Sequence, residues 1–304
     1  MWTVVVAPIE MAESSPHTSA APFVRILDKL RWVLLDFGAL SFLEVSLKWS
    51  SRSTAVAVVA ALACAVASPA FAGPADLDDP VHKDHAMQIV SSAENSSQDW
   101  RAQFAYIEDI HDGRGYTAGI IGFTSGTHDM LELVQRYTDQ SPNNVLAPYL
   151  PALRAVDGTD SHEGLDPGFQ DAWRQAATDK VFCDTQESER DRVYFDPAVS
   201  LAKQDGLRAL GQFAYYDAAV VHGYQGLQAI RSRALGKATT PAQGGDETAY
   251  LNAFLDERVI EMKKEPAHED TTRIDTAQRV WLQQGNFDLT TPLRWQVYGK
   301  NFEI

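Results

Sequence analysis

The chain has 304 residues, 45% of them hydrophobic and 22% charged, which is globular composition with length for one large domain or two small ones. Its net charge of -15 disfavours nucleic acid as a partner, because phosphate binding needs a basic face. An acidic surface suits a cationic substrate, and it equally aids solubility.

Along the chain, the first feature is a leader. Lys48 and Arg52 supply a short basic region. Ala55 to Ala67 is an apolar run too short to span a bilayer, and Ala70-Phe71-Ala72 is a small-x-small cleavage site. That order of parts predicts a signal peptide over 48–72, not a membrane anchor. Cys64 is a poor lipoprotein site, with Ala61 three residues before it. Cleavage leaves Gly73 first, and the product is expected to be secreted, extracellular and free of the membrane. A signal peptide belongs near the start of a chain, so residues 1–47 read as an upstream extension, with translation expected to begin near Val45. Residues 73–304 then form the mature domain, expected to carry whatever activity the chain has. They keep the charge of -15 and one cysteine, Cys183, so no internal disulfide is possible and a core must hold the fold.

Asp79-Pro80 predicts a helix start, with Asp as cap and Pro at the first position. Val81, Ala86, Ile89, Val90 and Ala93 mark one face of that helix, and Glu94 lies at its end. A second helical pattern uses Trp100, Phe104 and Ile107. His111 to Gly115 is a glycine-rich turn. Tyr116 to Phe123 reads as a strand and Thr124-Ser125-Gly126 as a turn. After Asp129 nearly everything reads as helical, including Pro197 to His222. The expectation is a mainly α protein with one small β element and no clean domain boundary.

Two helices carry charges on apolar stripes. Asp217 falls in line with Leu207, Leu210, Ala214 and Val221, and Arg258 with Leu251, Leu255 and Met262. A lone buried charge costs several kcal/mol, so the two are expected to pair. The alternative is that each reaches water separately.

Several motifs are set aside. Gly113-x-Gly115-x-x-Ala118 matches a dinucleotide fingerprint by letter, but a strand follows it and a helix precedes it, the reverse of what that fingerprint needs. His82 and His85 have no third metal ligand and read as a solvated face. Asp76, Asp78 and Asp79 lack the spacing of a calcium loop. There is no Gly-x-Ser-x-Gly elbow, and Cys183 in a helical region does not suit thiol catalysis. A pair of carboxyls remains: Glu94 at a helix end and Asp112 in a polar turn. Glycosidic hydrolysis needs one carboxyl protonated and one ionised. Apolar surroundings favour the first state and a neighbouring Arg114 the second. Spacing alone leaves this pair one candidate among many acids.

The runs Ser91 to Ser97, Tyr106 to Thr117, Glu189 to Ala198 and Thr240 to Thr248 closely resemble bacterial secreted chitosanases of glycoside hydrolase family 46. The likeness extends over Asp76 to Tyr298. It implies a lysozyme-like α+β architecture: two largely helical lobes with a small β-sheet flanking a substrate cleft. It implies inverting endo-hydrolysis of β-1,4 linkages in chitosan and chito-oligosaccharides, with no cofactor and no metal, by a monomer. Glu94 matches the general acid, Asp112 the general base, and Thr117 the residue positioning the attacking water. Arg114, Asp129, Glu265 and Glu269 match substrate-binding positions; Asp129 would meet a substrate ammonium group. The relatives carry Asp at the position of Glu269. Asp217, Arg258 and Arg273 match an ion network linked to Glu94. Inversion places the carboxyls about 6.5 to 9.5 Å apart, to admit water. Trp100, Trp173 and Trp295 read as core, not sugar platforms. Two other functions compete: a chitosan-binding protein without turnover, and a lysozyme-like hydrolase of peptidoglycan.

Overall fold

The computed structural model describes residues 76–264 and 270–304. The signal peptide, the upstream extension, Glu265 and Glu269 lie outside the described residues.

Helix α1 runs Pro80–Asn95 and begins as its sequence dictates. Asp79 Oδ1 accepts from the amides of Val81 at 2.9 Å and His82 at 3.4 Å, while Pro80 forfeits no bond at the first position. Ala86, Met87, Ile89, Val90 and Ala93 are buried, and the left-handed Ser96 stops the helix two residues beyond Glu94.

A 3₁₀ turn, Trp100–Ala105, follows, then β1 (Ile107–Asp109), β2 (Tyr116–Ala118) and β3 (Phe123–Thr124). The three strands form one antiparallel sheet in the order β1-β2-β3. This corrects two expectations. Ile107 leaves the helical pattern to pair with Ala118, because a lone apolar residue fits either period and the sheet partner decides. The single strand from Tyr116 to Phe123 is split by Gly119 and Gly122, whose φ of 75° and 70° make a turn. A strand therefore lies on both sides of Gly113-x-Gly115.

The remaining helices are α2 (Asp129–Gln140), α3 (Leu150–Val156), α4 (Phe169–Ala176), α5 (Lys180–Arg190), α6 (Asp196–Gln204), α7 (Ala209–Leu235), α8 (Glu247–Met262) and α9 (Arg279–Gln283). Two π-helical turns, Asp191–Phe195 and Arg273–Gln278, join α5 to α6 and lead into α9. The stretch from Pro197 to His222 is two helices, interrupted at Gly206, where φ is 77°. A hairpin of β4 (Arg294–Val297) and β5 (Lys300–Glu303) ends the chain, against the helical expectation. Trp295 and Val297 bury one face of β4, but four residues of alternation are too few to announce a strand.

Two apolar cores result. One gathers α1, α6, α7, α8, α9 and β4; the other gathers the sheet and α2 to α5. Two mainly helical lobes with a small sheet match the architecture expected, and the β4–β5 hairpin adds a second small sheet to the other lobe. Trp100, Trp173 and Trp295 are all buried, with indole donors to Asp84, Phe104 O and Ser92. His82 and His85 are half-buried, not solvated, and burial holds the His85 imidazole below its ordinary pKa.

Candidate active site

A pocket of about 120 Å³ opens where the two cores meet. Its lining includes Glu94 and Asn95 of α1, Ile120 and Ile121 of the β2–β3 turn, and Arg190 and Tyr194.

Glu94 heads a chain of charges. Arg273 Nη1 donates to Glu94 Oε1 at 2.6 Å, and Arg273 Nη2 donates to Asp217 Oδ1 at 2.5 Å. Arg258 Nη1 reaches Asp217 Oδ2 at 2.7 Å, and Arg258 Nη2 donates to the Asp217 carbonyl at 3.1 Å. The pairing inferred from two apolar stripes is therefore present. Asp217 is 2% exposed and Arg258 fully buried. Burial alone would push the Asp217 carboxyl up, but Arg258 and Arg273 outweigh it and hold the pKa at about 2. Gln278 Nε2 also donates to Asp217 Oδ2 at 2.7 Å and its Oε1 accepts from Arg258 at 3.2 Å. Gln278 was not singled out from the sequence, where it stands between Thr276-Ala277 and Arg279 with no apolar stripe to mark it as buried.

Glu94 itself keeps 44% of its side chain exposed, so apolar shelter is not its main environment. Arg273 is. Asp217 keeps Arg273 paired whichever protonation state Glu94 adopts.

Asp112 sits on the other lobe, in the loop between β1 and β2. Arg114 Nε and Nη2 donate to its Oδ2 at 2.8 and 2.5 Å, and the Arg114 amide donates to Oδ1 at 3.1 Å. The Arg114 side-chain bond is the main reason its pKa falls below the ordinary carboxylate range. Arg114 also feels the fields of Asp129 and Tyr194, and of these three groups Tyr194 lines the pocket itself.

Asp129 opens α2. The Thr124 amide, the Thr127 hydroxyl and the Met130 amide all donate to its Oδ1, at 3.0, 3.1 and 2.9 Å. Burial raises its pKa despite those donors. Thr117 lies in the middle strand opposite Glu108 and Thr124. Its hydroxyl is buried and has no hydrogen-bond partner among the described residues. Arg190 Nη1 and Tyr194 belong to the pocket as well, and neither was singled out from the sequence.

Glu94 borders the pocket from one lobe, and Asp112 and Asp129 belong to the other, an arrangement that suits the two-carboxyl hydrolysis of a glycosidic bond. The chain belongs to glycosyl hydrolase family 46, whose sequence profile matches residues 88–293. It is 62% identical to a chitosanase of Streptomyces sp. (strain N174) over 242 residues, 78% of this chain and 87% of that protein. The chitosanase OU01, co-crystallised with substrate, superposes with a TM-score of 0.72 at 61% identity, over 76% of this chain and 100% of that one. A Gynuella sunshinyii family 46 chitosanase in complex with chitotetraose superposes with a TM-score of 0.64 at 37% identity, over 73% and 96%.

Proposed function

We propose that this enzyme cleaves β-1,4 linkages between glucosamine units within chitosan and chito-oligosaccharides, with inversion at the anomeric carbon. The single observation that carries the roles is the unequal setting of the two carboxyls. Asp112 is held ionised by Arg114, as a base must be. Glu94 also meets an arginine, but Arg273 keeps Asp217 as a second partner, so it stays paired when Glu94 carries the proton it is to donate.

Glu94 donates its proton to the leaving glycosidic oxygen. Asp112 takes a proton from water attacking on the opposite face. An inverting site needs its carboxyls about 6.5 to 9.5 Å apart for that water. The unpartnered Thr117 hydroxyl is a ready hydrogen-bond partner for it. Asp129, with its remaining oxygen, and Glu265 and Glu269 receive substrate ammonium groups, since chitosan is cationic and charge-assisted bonds to carboxylates are strong. Arg114 serves Asp112 more directly than it serves substrate. The enzyme acts as a monomer without cofactor, exported by the signal peptide at 48–72. Among the described residues no helix is long and apolar enough to cross a membrane.

Glu94→Gln tests this reading on chitosans of graded acetylation. The variant is expected to bind chitosan and to lose release of reducing ends by about 10²-fold or more. Wild-type protein that binds chitosan and releases none would make it a binding protein. Preference for fully acetylated polymer would make it a hydrolase of peptidoglycan type.

A further inference from the structure

His128 is the residue on which the entry into α2 turns. Its backbone lies at φ 75°, ψ -33°, a conformation that non-glycine residues rarely adopt, and it makes no side-chain cap bond to the helix. Instead its Nδ1 meets Asp157 Oδ2 at 2.7 Å, across to the end of α3. The same two segments are also tied by their backbones, with the Gly158 amide donating to Gly126 O at 3.1 Å and the Gly126 amide to Arg114 O at 2.9 Å. A side chain on Gly126 would run into the Thr159 carbonyl, so the approach is close. The loop 126–128 is thus fastened on one side to the residue that grips Asp112. On the other side it delivers Asp129.

We infer that the His128–Asp157 pair is a positioning clasp, which holds a strained turn in place so that Asp129 keeps its aim at a cationic sugar. This rests on the proposed role of Asp129 in binding substrate ammonium. His128 does not touch the reacting atoms; it acts through its neighbour. The clasp is strongest with a charged imidazole. Asp157 raises the His128 pKa, through its hydrogen bond first and its charge second, and Glu132 and Asp129 add to this. Arg136 and Arg154 line the hollow beside His128 together with Glu132 and Asp139, two cations against two carboxylates. The sign follows: a histidine whose folded pKa is raised contributes most at acid pH, and its contribution fades as pH rises through that value. The clasp is therefore closed where chitosan is most cationic.

The test is KM and kcat on a chito-oligosaccharide across pH, for wild type, Asp157→Ala, His128→Gly and Asp129→Asn. Glycine accepts the backbone of position 128 without strain, so His128→Gly removes the clasp while leaving the turn accessible. For Asp157→Ala and His128→Gly, KM is expected to rise about 3-fold at acid pH, the scale of a lost surface ion pair, with kcat nearly unchanged. The difference from wild type should shrink as pH rises past the imidazole titration. A KM equal to wild type at every pH in both variants would overturn the clasp. If Asp129→Asn also leaves KM unchanged, the failure belongs to the binding role of Asp129. If Asp129→Asn raises KM and the other two do not, it belongs to the clasp alone.

Discussion

The two candidate catalytic carboxyls are held in opposite ways. Glu94 is half-exposed, but the groups behind it, Arg273, Asp217, Arg258 and Gln278, are buried and mutually bonded. Asp112 has no such foundation; it is held within its own loop by a residue two positions away. Buried charges exact a large penalty when one partner is lost, and local surface pairs do not. The first lobe thus couples the acid to the stability of the fold, while the second lets the base be tuned almost independently of it.

The largest break in this comparison is Asp217→Ala. It leaves buried Arg258 without a carboxylate and Arg273 with Glu94 alone, and breaking such a buried pair costs about 3 to 5 kcal/mol. Denaturant unfolding should show that loss, with activity falling because Arg273 loses its anchor. Arg114→Ala on the other lobe should leave the unfolding midpoint nearly unchanged.

Acid unfolding sharpens the same contrast. The Asp217 carboxyl has an ordinary value of 3.8 and is held at about 2 in the fold. Its stabilisation is present above about pH 4 and is lost as pH falls toward 2, a contribution on the order of 2 kcal/mol. Calorimetry between pH 5 and 2 should show a steep decline in wild type that flattens in Asp217→Asn.

For Arg114→Ala the expected change is kinetic. Without Arg114 the base takes up a proton more readily, so the acid limb of the pH–rate profile moves to higher pH. Below that limb the loss should be about tenfold for each pH unit the limb moves. A profile unmoved on its acid side would separate Arg114 from Asp112.

The smallest effect on stability is expected for Thr117→Val. The hydroxyl it removes is buried without a partner, so the unfolding free energy should stay within about 0.5 kcal/mol of wild type. Turnover should fall nonetheless, because the attacking water loses a hydrogen bond.

The same contrast explains what the sequence revealed. Asp217 and Arg258 could be paired from primary structure because helical periodicity assigns each to a buried stripe, where a charge needs a partner. Arg273 and Gln278 lie in a π-helical turn, whose period no helical pattern follows, so only the family resemblance pointed to Arg273 and nothing pointed to Gln278. The sheet was half legible. Tyr116 to Phe123 has strand composition, but its division at Gly119 and Gly122, and the capture of Ile107, depend on which segment pairs with which. The β4–β5 hairpin turns at Tyr298-Gly299, not at an Asn-Gly or Asp-Gly pair, and so gave no turn signal. Glu94 and Asp112 were only two acids among many until motif order distinguished them, because their kinship is tertiary.

The central claim is that Glu94 and Asp112 act on opposite faces of one sugar. Time-resolved proton NMR of the first products from a chito-oligosaccharide tests it most directly. Inversion predicts that the α-anomer of the new reducing end appears first and then mutarotates. Initial release of the β-anomer would mean a covalent intermediate, and would contradict the assignment of Asp112 as a base that activates water.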